Sequence, residues 1–135
     1  MKARPIHYRE GLKYQLASDY TCNTGVIPPY YVAADYVSLD RHGNLWVRKG
    51  YAWDGPSGPT FDTRSVMRAS LVHDAFFQLL RLGLLPESAR PAIDAEYRRI
   101  AIEDGTSWVR AALHHYVLRH FAATPGAPKR VRTAP

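Results

Sequence analysis

The chain has one cysteine, Cys22, which excludes an intramolecular disulfide and leaves too few thiolates for a cysteine-built metal site. No apolar run approaches the roughly 20 residues that span a bilayer. The opening residues MKARPIHYREGLKYQ lack the apolar centre of a secretory leader, so the expected setting is the cytoplasm with no signal peptide. A glycine-rich phosphate loop is also missing. Acidic residues are outnumbered by basic ones, 12 to 18, and a net charge of +6 raises the question of nucleic acid. Lys129, Arg130 and Arg132 supply three of those charges within the last seven residues, leaving +3 over residues 1–128 with no other dense basic block. Nucleic acid is therefore not the expected partner. The segment 124–135 (TPGAPKRVRTAP), with three prolines and almost no apolar content, reads as a disordered basic tail.

What remains is a chain of 135 residues, 46% hydrophobic, enough for one core and too short for two comfortable ones. We expect a single globular domain over residues 1–123, mainly β up to residue 53 and then a loop with three helices. The organising stretch is 65–82 (SVMRASLVHDAFFQLLRL), an apolar helical run with His73-Asp74 at its middle. At 100° per residue, with Arg68 at zero, Gln78 and Arg81 fall on one flank and His73 at 140°, turned inward. Asp74 falls on the polar flank beside Arg81.

Before that helix, short period-two runs on either side of Glu10-Gly11 predict a hairpin. Asn23-Thr24-Gly25 turns the chain, Pro28-Pro29 keeps it extended, and residues 30–39 (YYVAADYVSL) read as one strand. Residues 40–44 (DRHGN) are a turn signal leading into Leu45-Trp46-Val47-Arg48, which gives a second hairpin. Residues 50–62 (GYAWDGPSGPTFD) are a loop with three glycines and two prolines. Asp62 is placed to cap the central helix and Gly83 to end it. A second helix, starting at Ser88 or Pro91 and stopping before Gly105, carries Ile93, Tyr97 and Ile100 as its stripe with Asp94 at the edge. A third, capped by Thr106 or Ser107, runs through Val109, Ala112, Leu113, Tyr116 and Val117 to about Phe121. The fold class is α+β: N-terminal antiparallel β-hairpins followed by three helices.

The residues that carry chemistry are Asp54-Gly55 in the loop, His73-Asp74 on the first helix and Asp94 on the second. A short connection makes the two helices antiparallel neighbours, so Asp94 can approach His73 from the side. A carboxylate on one ring nitrogen fixes the tautomer and leaves the other nitrogen as a general base. Asp74 points elsewhere and, with Asp54 and loop carbonyls, presents the oxygen ligands that calcium prefers. A base beside a Lewis acid suits attack of water on an ester.

The order Asp54-Gly-x-Ser57-Gly-Pro-x-x-Asp62, Ala-Ser-x-x-His73-Asp74, Arg90-x-x-x-Asp94-x-x-Tyr97 resembles a widespread family of uncharacterised proteins from bacteria and their phages. Over residues 53–121 it is also similar to bacterial and fungal secreted phospholipases A-two, whose helix carries His-Asp-x-x-Tyr and whose next helix has an Asp supporting the histidine. The resemblance implies a phospholipase-A-two-like helical core. In it His73 activates water, Asp94 orients His73, and Asp74 ligates calcium with Asp54 and the Gly55 carbonyl. The implied partner is a lipid or ester substrate. The phage connection adds a virion location and a non-enzymatic alternative, a structural or host-interaction protein that contacts a virion or host protein. The sequence departs from the pattern in three places. Phe77 stands where those enzymes have a tyrosine that supports the dyad. Pro56 and Ser70 lie near where their loop-bracing disulfide would be. Pro56 also has no N–H to offer an oxyanion.

Each feature has a plainer reading. His73 and Asp94 can be a buried hydrogen bond that locks two helices. Asp74 can be a surface ion pair with Arg81, and Asp54-Gly55 only a turn. Ser57 lacks the strand, turn and helix setting of a nucleophile elbow. His42 precedes His73-Asp74 in the order of a metal-dependent phosphohydrolase but sits in a hairpin turn. His114, His115 and His120 are not at i, i+4 spacing for zinc. Trp46, Tyr51 and Trp53 are expected as core or loop anchors, with an aromatic rim at a lipid interface as the alternative.

Overall fold

The computed structural model describes residues 6, 8–9, 14–53 and 64–121. The proposed metal ligands Asp54 and Gly55, together with Pro56, Ser57, the Asp62 cap and the basic tail, lie outside the described residues. The architecture is α+β, with antiparallel strands before the helices.

The first hairpin pairs β1 (Tyr8–Arg9) with β2 (Tyr14–Leu16), Tyr8 opposite Leu16. A later strand, β7 (Ala52–Trp53), adds to the other edge of β2, where the rings of Tyr14 and Trp53 meet with centroids 5.7 Å apart. The second sheet holds four strands in the order β3, β6, β5, β4. They are β3 (Tyr20–Asn23), β4 (Val32–Ala34), β5 (Val37–Leu39) and β6 (Asn44–Val47). In β6 the alternation is plain: Leu45 and Val47 are buried while Asn44 and Trp46 face water.

The single strand expected over residues 30–39 is two strands. Asp35-Tyr36 forms a tight turn between β4 and β5, with Tyr36 at φ +69°. The turn pairs Val32 with Leu39 and Ala34 with Val37, so the stretch folds back on itself. The backbone N–H of Arg48 donates to the Tyr36 carbonyl at 2.8 Å and holds that conformation. The second hairpin forms as its turn signal indicated. One Asp40 carboxylate oxygen accepts the N–H groups of His42 and Asn44 and the other accepts the Asn44 side-chain amide, an Asx-turn arrangement.

Helix α1 (Arg64–Arg81) is the centre of the fold. From Val66 to Leu80 every residue is buried except Asp74, which is half-buried. The polar flank expected through Arg68 and Gln78 is therefore inside the protein. Strands and helix α2 (Arg90–Glu103) cover this helix from several sides, so an apolar stripe gives way to an all-round buried surface. Trp53 reaches it from β7, its indole N–H donating to the Ser70 hydroxyl at 3.0 Å.

Both helices end as their glycines indicate. After α1, Leu84 N–H bonds the Leu79 carbonyl with Gly83 at φ +75°; after α2, Thr106 N–H bonds the Ala101 carbonyl with Gly105 at φ +107°. A short 3-10 turn (Glu87–Ala89) leads into α2, which has Pro91 in its first turn. Helix α3 (Trp108–Phe121) begins with the Ser107 hydroxyl accepting the Arg110 N–H. Ile93, Tyr97 and Ile100 join α1 and the strands in one continuous hydrophobic cluster. Burying side chains such as Leu71, Phe76 and Leu79 contributes about 1.5–3 kcal/mol each.

Candidate functional site

His73, in the middle of α1, meets Asp94, in the first half of α2, with Nε2 2.7 Å from Oδ1. Asp94 is fully buried and His73 is 6% exposed. The distance is that of a charge-assisted hydrogen bond. It engages one ring nitrogen and leaves Nδ1 for other chemistry, the tautomer being set by Asp94.

The dyad sits in an aromatic and cationic frame. Phe77, one turn along α1, packs on the His73 ring with centroids 4.3 Å apart, and Tyr97 of α2 meets the same ring edge-on at 5.8 Å. Arg90 stands one turn before Asp94, its Nε 3.8 Å from Asp94 Oδ2, and its guanidinium covers Phe77 at 5.3 Å. Phe77 thus supplies a ring that carries an arginine beside the carboxylate.

Asp74 is half-buried. Its charge acts on the Tyr97 phenol, which burial in the first place holds above the ordinary tyrosine range, against the opposing field of Arg110. Among the described residues no group of three His, Cys, Asp or Glu side chains could hold a metal ion. Of the three expected calcium ligands, Asp74 alone is among the described residues. His42 lies exposed in the β5–β6 turn. Trp53 and Tyr51 are core residues. Trp46 is 42% exposed, its indole N–H donating to Asp19 and its ring covered by Arg48.

A second polar constellation was not singled out by the sequence reading. Arg68, buried on α1, donates through Nε and Nη2 to both oxygens of Asp104 at 2.9 and 3.0 Å, through Nη2 to Glu103, and through Nη1 to the Tyr20 hydroxyl at 2.6 Å. Glu96 extends it: one oxygen accepts the Gly25 N–H at 3.1 Å and the other is held by Arg99 at 2.7 Å. These contacts clasp the four-stranded sheet to the helix pair. The available signal was a lone arginine inside an apolar helical run, with adjacent acids, Glu103-Asp104, ending the next helix.

No family model, curated protein or solved structure matches the chain.

Proposed function

We propose that the protein is an ester hydrolase, with lipid esters as its substrate class, in which His73 acts as general base and Asp94 orients it. The observation that carries this reading is the buried His73–Asp94 pair at 2.7 Å, formed between adjacent helices as in the phospholipase-A-two pattern. In the reaction His73 Nδ1 accepts a proton from water as its oxygen attacks the ester carbonyl. Asp94 accepts the hydrogen bond from Nε2–H throughout and stabilises the imidazolium that forms. The proton then passes to the departing alkoxide. Phe77, Tyr97 and Arg90 hold the ring and the carboxylate in register.

Calcium is the proposed ion, with Asp74 as one ligand and Asp54 and the Gly55 carbonyl as the others. A hard cation there would polarise the ester carbonyl. Asp74 alone does not make such a site, and no step above depends on it.

A second reading is favoured by the burial of both dyad members: a helix lock in a non-enzymatic, phage-derived structural or host-interaction protein. One experiment separates the two. Hydrolysis of phospholipids and chromogenic esters is measured with calcium and with chelator for the wild type, His73→Ala and His73→Gln, with denaturant unfolding of each. Turnover that vanishes in variants that remain folded supports the hydrolase. Absence of turnover in the wild type, with a variant that is merely less stable by about 2–4 kcal/mol, leaves the dyad as a lock. Equal turnover with chelator sinks the calcium part alone.

A further inference from the structure

Helix α3 presents to solvent what a soluble helix ordinarily buries. Trp108, Val109, Leu113 and Tyr116 are 64%, 72%, 56% and 54% exposed. At 100° per residue from Trp108, Val109 lies at 100°, Ala112 at 40°, Leu113 at 140° and Tyr116 at 80°. These five positions fill one continuous arc, while the buried Ala111 lies at 300°, on the side that faces the domain. The apolar residues named as the third helix's sequence pattern, Val109, Leu113 and Tyr116, thus point outward. On α2, Arg98 sits over the Trp108 ring at 5.2 Å, which places a cation at the edge of the arc.

The charge of the chain is concentrated at the same end. After Asp104 no acidic residue occurs, and Arg110, Arg119, Lys129, Arg130 and Arg132 follow; residues 1–104 hold thirteen basic against twelve acidic side chains. This asymmetry opposes a second copy of the chain as occupant, because two such ends would meet with like charge. A nucleic-acid duplex would match the charge and leave the apolar arc in water. An anionic bilayer matches both, since tryptophan and tyrosine settle at the headgroup level, aliphatic side chains enter the acyl boundary and flanking cations meet anionic lipid.

We propose that α3 is a membrane-docking helix that lies flat on anionic lipid through Trp108, Val109, Leu113 and Tyr116. The proposal is independent of the hydrolase reading and stands if His73 and Asp94 are only a lock.

The test is co-sedimentation of the full chain, in chelator, with vesicles of phosphatidylcholine containing phosphatidylglycerol and with vesicles of phosphatidylcholine alone. The expected result is partitioning onto the anionic vesicles that weakens as salt rises. It falls by about tenfold or more in Val109→Glu/Leu113→Glu. The pair Val109→Ser/Leu113→Ser removes apolar area without changing charge and is expected to weaken binding as well. Both pairs sit on the exposed arc, so their unfolding curves should match the wild type. Failure of the wild type to bind anionic vesicles overturns the proposal. So does equal binding by both variant pairs. A wild type that ignores vesicles but self-associates or binds an oligonucleotide through this face, with loss in the variants, assigns the arc to that partner instead.

Discussion

Arg90 covers the face of Phe77 at 5.3 Å while its Nε lies 3.8 Å from the Asp94 carboxylate, so one guanidinium touches both the ring under His73 and the partner of His73. Four residues therefore close a loop: His73 to Asp94 by hydrogen bond, Asp94 to Arg90 by charge, Arg90 to Phe77 by cation and ring, Phe77 back to His73 by packing. Such a loop resists displacement of any one member, because moving it disturbs two contacts at once. It also keeps a counter-charge near a fully buried carboxylate, which would be costly to leave alone.

Arg90→Met tests the loop. It keeps the aliphatic stem but removes the charge over Phe77 and beside Asp94, and the expected loss is about 1–2 kcal/mol of unfolding free energy. Arg90→Lys restores charge without the planar stack and should recover only part of it. Urea unfolding of the three proteins reads the order directly. An unchanged midpoint in Arg90→Met would show that the guanidinium is a surface group with no part in the frame.

The dyad was legible because its signals are local and mutually reinforcing. His73 lies inside an apolar helical run, a short connection follows, and Asp94 sits at the edge of the next stripe. The helix ends were legible for the same reason, since Gly83 and Gly105 adopt the left-handed conformation that ends a helix. The split of residues 30–39 was hidden because Tyr36, not glycine or asparagine, takes the positive φ. The burial of Arg68 was hidden too. Its partners come from β3 and from the far end of α2, and a flank defined on one helix carries no information about them. The outward face of α3 could not be told from a core stripe, because periodicity shows that a face exists and not what covers it.

The Arg68 clasp gives a second expectation. Arg68→Met leaves Asp104 and Glu103 without the cation that draws them to α1, and it removes the donor to Tyr20. We expect a loss of about 3–5 kcal/mol, the usual scale for breaking one side of a buried ion pair. Asp104→Asn keeps an acceptor and should lose less, about 1–2 kcal/mol. Denaturant unfolding monitored by tryptophan fluorescence measures both. A loss below about 1 kcal/mol for Arg68→Met would put the clasp among surface pairs of small effect.

Gly43 tests the turn that sets the register of the four-stranded sheet. It adopts φ +82°, and a Cβ there would lie 2.2 Å from the Thr24 carbonyl oxygen. The backbone cannot yield cheaply, because the Gly43 carbonyl accepts both the Thr24 N–H at 2.8 Å and its hydroxyl at 2.9 Å. Gly43→Ala should therefore lower stability by about 2–4 kcal/mol, seen as a fall in melting temperature. By contrast, nothing lies within 4 Å of a Cβ at Gly83. Gly83→Ala meets only the strain of its positive φ, about 1 kcal/mol.

Alkaline pH should expose the buried phenols. Burial first, and then the nearby Cys22, hold Tyr20 above the ordinary tyrosine range, against the pull of Arg68; burial and the charge of Asp74 do the same for Tyr97 against Arg110. In the unfolded chain each phenol titrates near pH 10. Folding thus favours the protonated form, and this contribution is fully present below about pH 10 and is lost as pH rises toward the folded-state values. Each tyrosine steepens the decline of unfolding free energy by about 1.4 kcal/mol per pH unit once the unfolded state has lost its proton. Tyr97→Phe keeps the ring against His73 and removes the titrating group. Its stability should fall less steeply above pH 10 than that of the wild type, in urea titrations at successive pH values. Parallel declines for the two proteins would mean that the Tyr97 hydroxyl ionises as freely in the fold as in the open chain, and that the contact of α2 with α1 around His73 is wetter than its packing indicates.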